Sequence, residues 1–173
     1  MTKPSIVDNC DDTNNFGNHQ NSKLTLTEIT KSVGKNNDFN CTQLKFIHTN
    51  CQSAMNKKGE IRELIDNHSP LVIGLTEFGA PSHIKDGELN TPDYSLYRGD
   101  HSSGEGGLGK GTALYVHDSL NHSACPSMEE TNFDCTAWCQ IRTCDDDIIL
   151  VGVIYRSPNS PPQNNDNLSN RNV

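Results

Sequence analysis

Two polar residues stand where apolar runs end, and both are of types that handle phosphate and metal. Asn50 follows Leu44-Lys45-Phe46-Ile47-His48-Thr49, and Glu77 follows Leu71-Val72-Ile73-Gly74-Leu75-Thr76. A carboxylate placed so can hold a hard divalent cation, and an amide can orient a phosphate or a metal-bound water. The same residues have a plainer explanation. A strand leaving a core ends on polar residues, and helix capping or turn formation accounts for Asn50 equally well.

The elements that must position these side chains are readable from periodicity. Leu44 to Thr49 reads as a strand entering a core. From Met55 to Asn67, Ile61, Leu64 and Ile65 fall at helical spacing, with Glu60, Arg62, Glu63 and Asp66 on the other face and Pro70 as the stop. Leu71 to Leu75 is a continuous apolar run, the pattern of a strand buried on both faces. Strand, helix, strand in this order predicts a βαβ unit with parallel strands, whose carboxyl ends are where ligands bind. Beyond Glu77 the helical pattern stops. Tyr94 to Arg98, Thr112 to His117, Thr136 to Arg142 and Ile148 to Tyr155 read as strands. The glycine-rich loop His101–Gly111 joins the first two of these, and a Cys144-Asp145-Asp146-Asp147 turn joins the last two, so hairpins are expected.

Composition bounds the reading. The chain has 173 residues, of which 32% are hydrophobic, with 14 Lys and Arg against 22 Asp and Glu and a formal charge of −8. So low an apolar share, with a mean hydropathy of −0.67, predicts that part of the chain lies outside a packed core. The polar segment 1–43 is expected to be disordered, with Leu24 to Val33 a weakly ordered element, and the Pro- and Asn-rich 161–173 is expected to be a disordered tail. The acidic balance and the lack of a basic run argue against autonomous DNA binding. Seven cysteines without a C-x-x-C pair exclude a zinc-finger pattern. The polar start carries no secretory pattern and no stretch reaches membrane-span length, so an intracellular protein with free thiols is expected.

Other motifs give less. Gly104 to Thr112 satisfies G-x-G-x-x-G and resembles a P-loop as far as Lys110. Gly111 displaces the hydroxyl residue that should follow the lysine, and a strand rather than a helix comes next, so a hairpin loop is the better reading and a nucleotide site the lesser one. Arg98-Gly99-Asp100 reads as a turn, Asp145 to Asp147 as a solvated acidic turn, and the scattered histidines as packing or surface residues. Trp138 is expected to anchor one sheet.

Taken together, Thr49-Asn50-Cys51-Gln52-Ser53, Leu75-Thr76-Glu77, Gly107 to Val116 and Val151-Gly152-Val153-Ile154-Tyr155-Arg156-Ser157-Pro158-Asn159-Ser160 come in an order and spacing that resembles the endonuclease/exonuclease/phosphatase superfamily. Within it the chain is most similar to the endonuclease domain of LINE-type, non-LTR retrotransposons, over residues 44–160. The resemblance implies an α/β (α+β) fold, the N-terminal portion of a four-layered sandwich with two mixed β-sheets packed face to face and helices outside. It also implies magnesium- or manganese-dependent phosphodiester hydrolysis with DNA as partner. Asn50 matches the residue that helps place the phosphate and a catalytic Asp, Glu77 the metal-binding Glu, and Tyr155 the Tyr that contacts the scissile phosphate. Arg156 and Asn159 would add phosphate or DNA contacts.

The sequence also departs from the pattern. Gln52 stands where some members carry an Asp, Ser157 where relatives usually have Pro, and the glycine loop is longer than usual. The Asp-x-Asn strand end that supplies the water-activating base, and the late Asp and Asp-His pair, are not found after Ser160. The expectation is therefore a truncated, retrotransposon-derived endonuclease domain that does not cleave DNA alone. The alternative is a non-catalytic remnant or binding module, prone to self-association through an uncovered sheet.

Overall fold

The computed structural model describes residues 25–29, 44–80, 84–99, 111–125, 135–143 and 146–156. Its elements in chain order are β1 (Thr25–Ile29), β2 (Leu44–Asn50), α1 (Ala54–His68), β3 (Val72–Thr76), α2 (Asp86–Leu89), β4 (Tyr94–Gly99), β5 (Thr112–His117), β6 (Asn121–Ala124), β7 (Thr136–Arg142) and β8 (Ile148–Ile154). The fold is mixed α/β, mostly strand, in two sheets.

The first sheet runs β1-β2-β3-β5-β4 and the second β6-β7-β8. β2 and β3 are parallel, as the strand–helix–strand pattern requires, with Asn50 opposite Thr76 at their carboxyl ends. Every other pairing is antiparallel. The second sheet is thus antiparallel throughout among the described residues, not mixed. Strands consecutive in sequence are neighbours in it, the order that antiparallel pairing allows without a crossover.

Side chains alternate across the first sheet and divide the core in two. Leu44, Val72, Leu114 and Val116 face the second sheet and pack on Ala137, Cys139, Ile141 and Val153. Ile73, Leu75, Ala113 and Tyr115 face the other way and pack on Ala54 and Ile61 of α1. Covered on both sides, β3 is buried at all five positions, which explains why its sequence is an unbroken apolar run rather than an alternation. α1 ends at Ser69, in the left-handed region at φ 44°, where its N–H bonds the Ile65 carbonyl at 2.8 Å and Pro70 prevents continuation.

Two glycines fix how closely backbones approach. A Cβ on Gly99, at the end of β4, would lie 1.9 Å from the Thr136 carbonyl oxygen at the start of β7. The two sheets meet there backbone to backbone. In the second sheet, Trp138 lies over Gly152, where a Cβ would come within 2.2 Å of the indole ring. It thus packs across the β7–β8 pair, where its register partner is Gly152.

Within 1–43, the element expected at Leu24 to Val33 contains a strand, Thr25–Ile29, which pairs with β2 from Thr25 opposite His48 to Ile29 opposite Leu44. β6 and α2 have no apolar signature. β6, Asn-His-Ser-Ala, is held by its register with β7, and α2 by the Lys85 N–H to Glu88 Oε1 bond at 3.3 Å that closes its first turn. The remainder of 1–43, the loop 101–110 and the tail 161–173 lie outside the described residues. Among those described, no helix is long and apolar enough to cross a membrane.

Candidate functional site

Asn50, Thr76 and Thr112 form a row across the ends of β2, β3 and β5, since Asn50 is opposite Thr76 and Thr76 is opposite Thr112. By alternation all three lie on the face toward the second sheet. Asn50 is half-buried, and its Oδ1 accepts the Gln52 N–H at 3.2 Å. This is the turn-forming role that its residue type allows. It uses one of the amide's groups and leaves Nδ2 without a partner among the described residues.

Beyond Asn50 the chain bends sharply, with Gln52 at φ 47° and Ser53 at φ 103°. The two parallel strands nevertheless stay paired past their ends. The N–H groups of Cys51, Ser53 and Ala54 donate to the carbonyls of Thr76 (3.0 Å), Glu77 (3.0 Å) and Phe78 (2.8 Å). On the other side the Phe78 N–H donates to Gly111 O at 3.0 Å. Glu77 is thereby clamped in the left-handed region at φ 51°, a conformation that costs a non-glycine residue about 1–2 kcal/mol. Backbone strain of this kind survives only where surrounding bonds fix it, and it gathers where side chains must be aimed.

Aimed at Glu77 is Tyr155, the residue after β8. Its N–H donates to Cys135 O at 3.1 Å, and its phenol donates to Glu77 Oε1 at 3.3 Å. Burial first, and then the Glu77 charge that its hydroxyl donates to, raise the pKa of Tyr155 above the ordinary phenol value. The phenol therefore stays protonated and remains a donor. Three residues that resemblance marked as a site thus come from one end of the sandwich: Asn50 beside Thr76, Glu77 next along, and Tyr155 bonded to Glu77. Arg156 follows Tyr155 and is exposed. Asn159 lies outside the described residues.

Among the described residues no three His, Cys, Asp or Glu side chains cluster as a metal cage. Magnesium does not require one. It keeps several waters and uses one or two carboxylates with substrate phosphate oxygens. Glu77 meets the lower limit of that donor set, with Oε1 shared by Tyr155 and Oε2 without a hydrogen-bond partner among the described residues.

Sequence reasoning missed the supports. The Cys51 thiol donates to the carbonyls of Thr76 at 3.5 Å and Glu77 at 3.6 Å. Burial pushes its pKa up to about 11, so at neutral pH it ties the turn as a neutral thiol. Thr76 and Thr112 were also overlooked, because a cross-strand row depends on register, which no local pattern reveals. A hollow lined by Thr49, Asn50, Cys51 and Gln52 and by Lys57, Glu60, Ile61 and Leu64 of α1 lies on the helix side and includes neither Glu77 nor Tyr155. No protein-family model matches the chain, and no curated protein is significantly similar to it.

Proposed function

We propose that Asn50, Glu77 and Tyr155 form the phosphate-handling part of a metal-dependent phosphodiesterase site of the endonuclease/exonuclease/phosphatase type, on part of a DNase-like sandwich descended from a LINE-type retrotransposon endonuclease. In this reading the 173-residue chain binds a phosphodiester without hydrolysing it. The observation that supports it is the Tyr155–Glu77 hydrogen bond. It joins two residues far apart in sequence at the strand end where Asn50 already presents an unused amide.

Each group has a defined task. Glu77 offers one carboxylate to a divalent cation, which would draw charge from the phosphate and its departing oxygen when bound. The Asn50 Nδ2 donates to a non-bridging phosphate oxygen. Tyr155, kept protonated by burial and by Glu77, donates a second hydrogen bond without adding charge. Activating water requires a base within hydrogen-bond reach of it. Glu77 is committed to the cation and to Tyr155, and neither an amide nor a phenol with a raised pKa accepts that proton at neutral pH.

Manganese is a direct test, because its paramagnetism broadens nearby amide signals. Titrated into the full chain labelled with 15N, it is expected to broaden Asn50, Glu77 and Tyr155 first, and Glu77→Ala to abolish the effect. Broadening centred on Asp145 to Asp147 would overturn the site. In magnesium, supercoiled plasmid should be nicked no faster by wild type than by Glu77→Ala. Nicking that depends on Glu77 would refute the non-cleaving half of the reading.

A further inference from the structure

Among the described residues the Thr112 hydroxyl has no partner. Thr112 is fully buried, at 0% exposure, and its Oγ1 makes no hydrogen bond to any of them. An unsatisfied buried hydroxyl is destabilising by about 1–3 kcal/mol. Valine has the same branched shape and the same preference for strands, without that penalty. A buried hydroxyl without a hydrogen bond is free to serve a partner outside the protein, such as an ion or a ligand.

Its position says which partner. Thr112 begins β5, directly opposite Thr76 on one side and Gly99 on the other, and faces the second sheet. Thr76 leads into Glu77. Gly99 lies against Thr136, whose neighbour Cys135 accepts the backbone N–H of Tyr155. Thr112 therefore sits between the two arms that bring Glu77 and Tyr155 together. The Cβ position of Gly99 is 2.7 Å from Thr112 Oγ1, so any side chain there would crowd the hydroxyl.

We infer that Thr112 is a further phosphate-contacting residue of this site, its hydroxyl donating to an anionic oxygen of the bound phosphodiester. The inference rests on the function proposed above. As part of this inference, the ligand draws the Tyr155 phenol from its part-buried 3.3 Å bond to Glu77 and reaches the hydroxyl from that side. An anion suits the position because a hydroxyl can donate to it without adding a buried charge.

The test is titration of the full chain in magnesium with the dinucleotide TpT, which carries a single phosphodiester, followed by 31P and 15N shifts, with thermal melts of each variant. Thr112→Val is expected to raise the melting temperature while weakening TpT binding by about tenfold, the range for one hydrogen bond to a charged group. Thr112→Ser, which keeps the donor, should bind within about twofold of wild type on the same basis. A structural role predicts a different pattern, in which valine lowers stability and binding together, and that result overturns the inference. If Thr112→Val binds as wild type does while Glu77→Ala does not bind, Thr112 is excluded and the site stands. If wild type does not bind TpT, or Glu77→Ala binds it equally well, the site reading fails and Thr112 fails with it.

Discussion

Replacing Gly99 with alanine tests the idea that the contact between the two sheets sets the geometry of the site. The new Cβ would lie 1.9 Å from the Thr136 carbonyl oxygen, 2.3 Å from its carbonyl carbon and 2.7 Å from Thr112 Oγ1. Real Cβ atoms essentially never approach closer than 3.0 Å, so β7 must retreat by at least 3.0 − 1.9 = 1.1 Å along that line. No side-chain rotation can relieve the clash, because the obstacle is backbone. Overpacking in a core costs typically 1–3 kcal/mol, and an immovable obstacle places this variant at the upper end, about 3 kcal/mol. For a domain of this size that lowers the melting temperature by roughly 10 °C. The retreat also carries Cys135 and, through its carbonyl, Tyr155, whose bond to Glu77 at 3.3 Å has no slack. Urea unfolding followed by far-UV circular dichroism and by the fluorescence of the single tryptophan, Trp138, would measure the loss. A stability within 0.5 kcal/mol of wild type, roughly the effect of an ordinary surface change, would refute this account of how the sheets meet.

Gly59 is the opposite case. It lies exposed within α1 with nothing within 4 Å of an added Cβ, so Gly59→Ala should stabilise the protein by about 0.8–1 kcal/mol in the same urea assay. Tyr155→Phe removes the phenol but keeps the ring. It should leave the fold intact, lower stability by no more than about 1 kcal/mol because the bond is long and partly exposed, and weaken the phosphodiester titration described above. Alkali should destabilise the protein. Burial raises Cys51 from 9.0 to about 11 and Cys139 from 9.0 to about 12, and raises Tyr94, Tyr97 and Tyr115 from 10.0 to about 12. Between these pairs of values the unfolded chain has lost protons that the folded chain keeps. Stability is thus full below pH 9 and falls as pH rises toward 12, which chemical denaturation at a series of pH values would show.

Much of the first sheet was legible because each element obeyed a local rule. Strand 112–117 of the first sheet and strand 136–142 of the second lie where the sequence placed them between turn residues, and α1 extends only one residue beyond its expected span at each end. What could not be read depends on neighbours. β6 has no apolar pattern and exists because β7 pairs with it. β1 falls within the weakly ordered element expected at Leu24 to Val33, but its pairing with β2 depends on register. In the site, the residue types of Asn50 and Glu77 and the turn role of Asn50 were visible, but the left-handed backbone of Glu77 and the reach of Tyr155 to it follow from register and stacking. Thr112 was invisible for the same reason. Nothing in a Gly-Thr-Ala-Leu-Tyr-Val strand announces a hydroxyl without a partner.

The bond from residue 155 back to residue 77 closes a span of 78 residues, and that has a temporal meaning. While the chain is being synthesised, the amide and the carboxylate can be in place long before the phenol exists. On the function proposed above, a nascent protein would have no complete grip on a phosphodiester until its final described strand has docked. Competence to bind would then report that the second sheet has arrived, and a single cut that frees that strand would silence the site while leaving the first sheet whole.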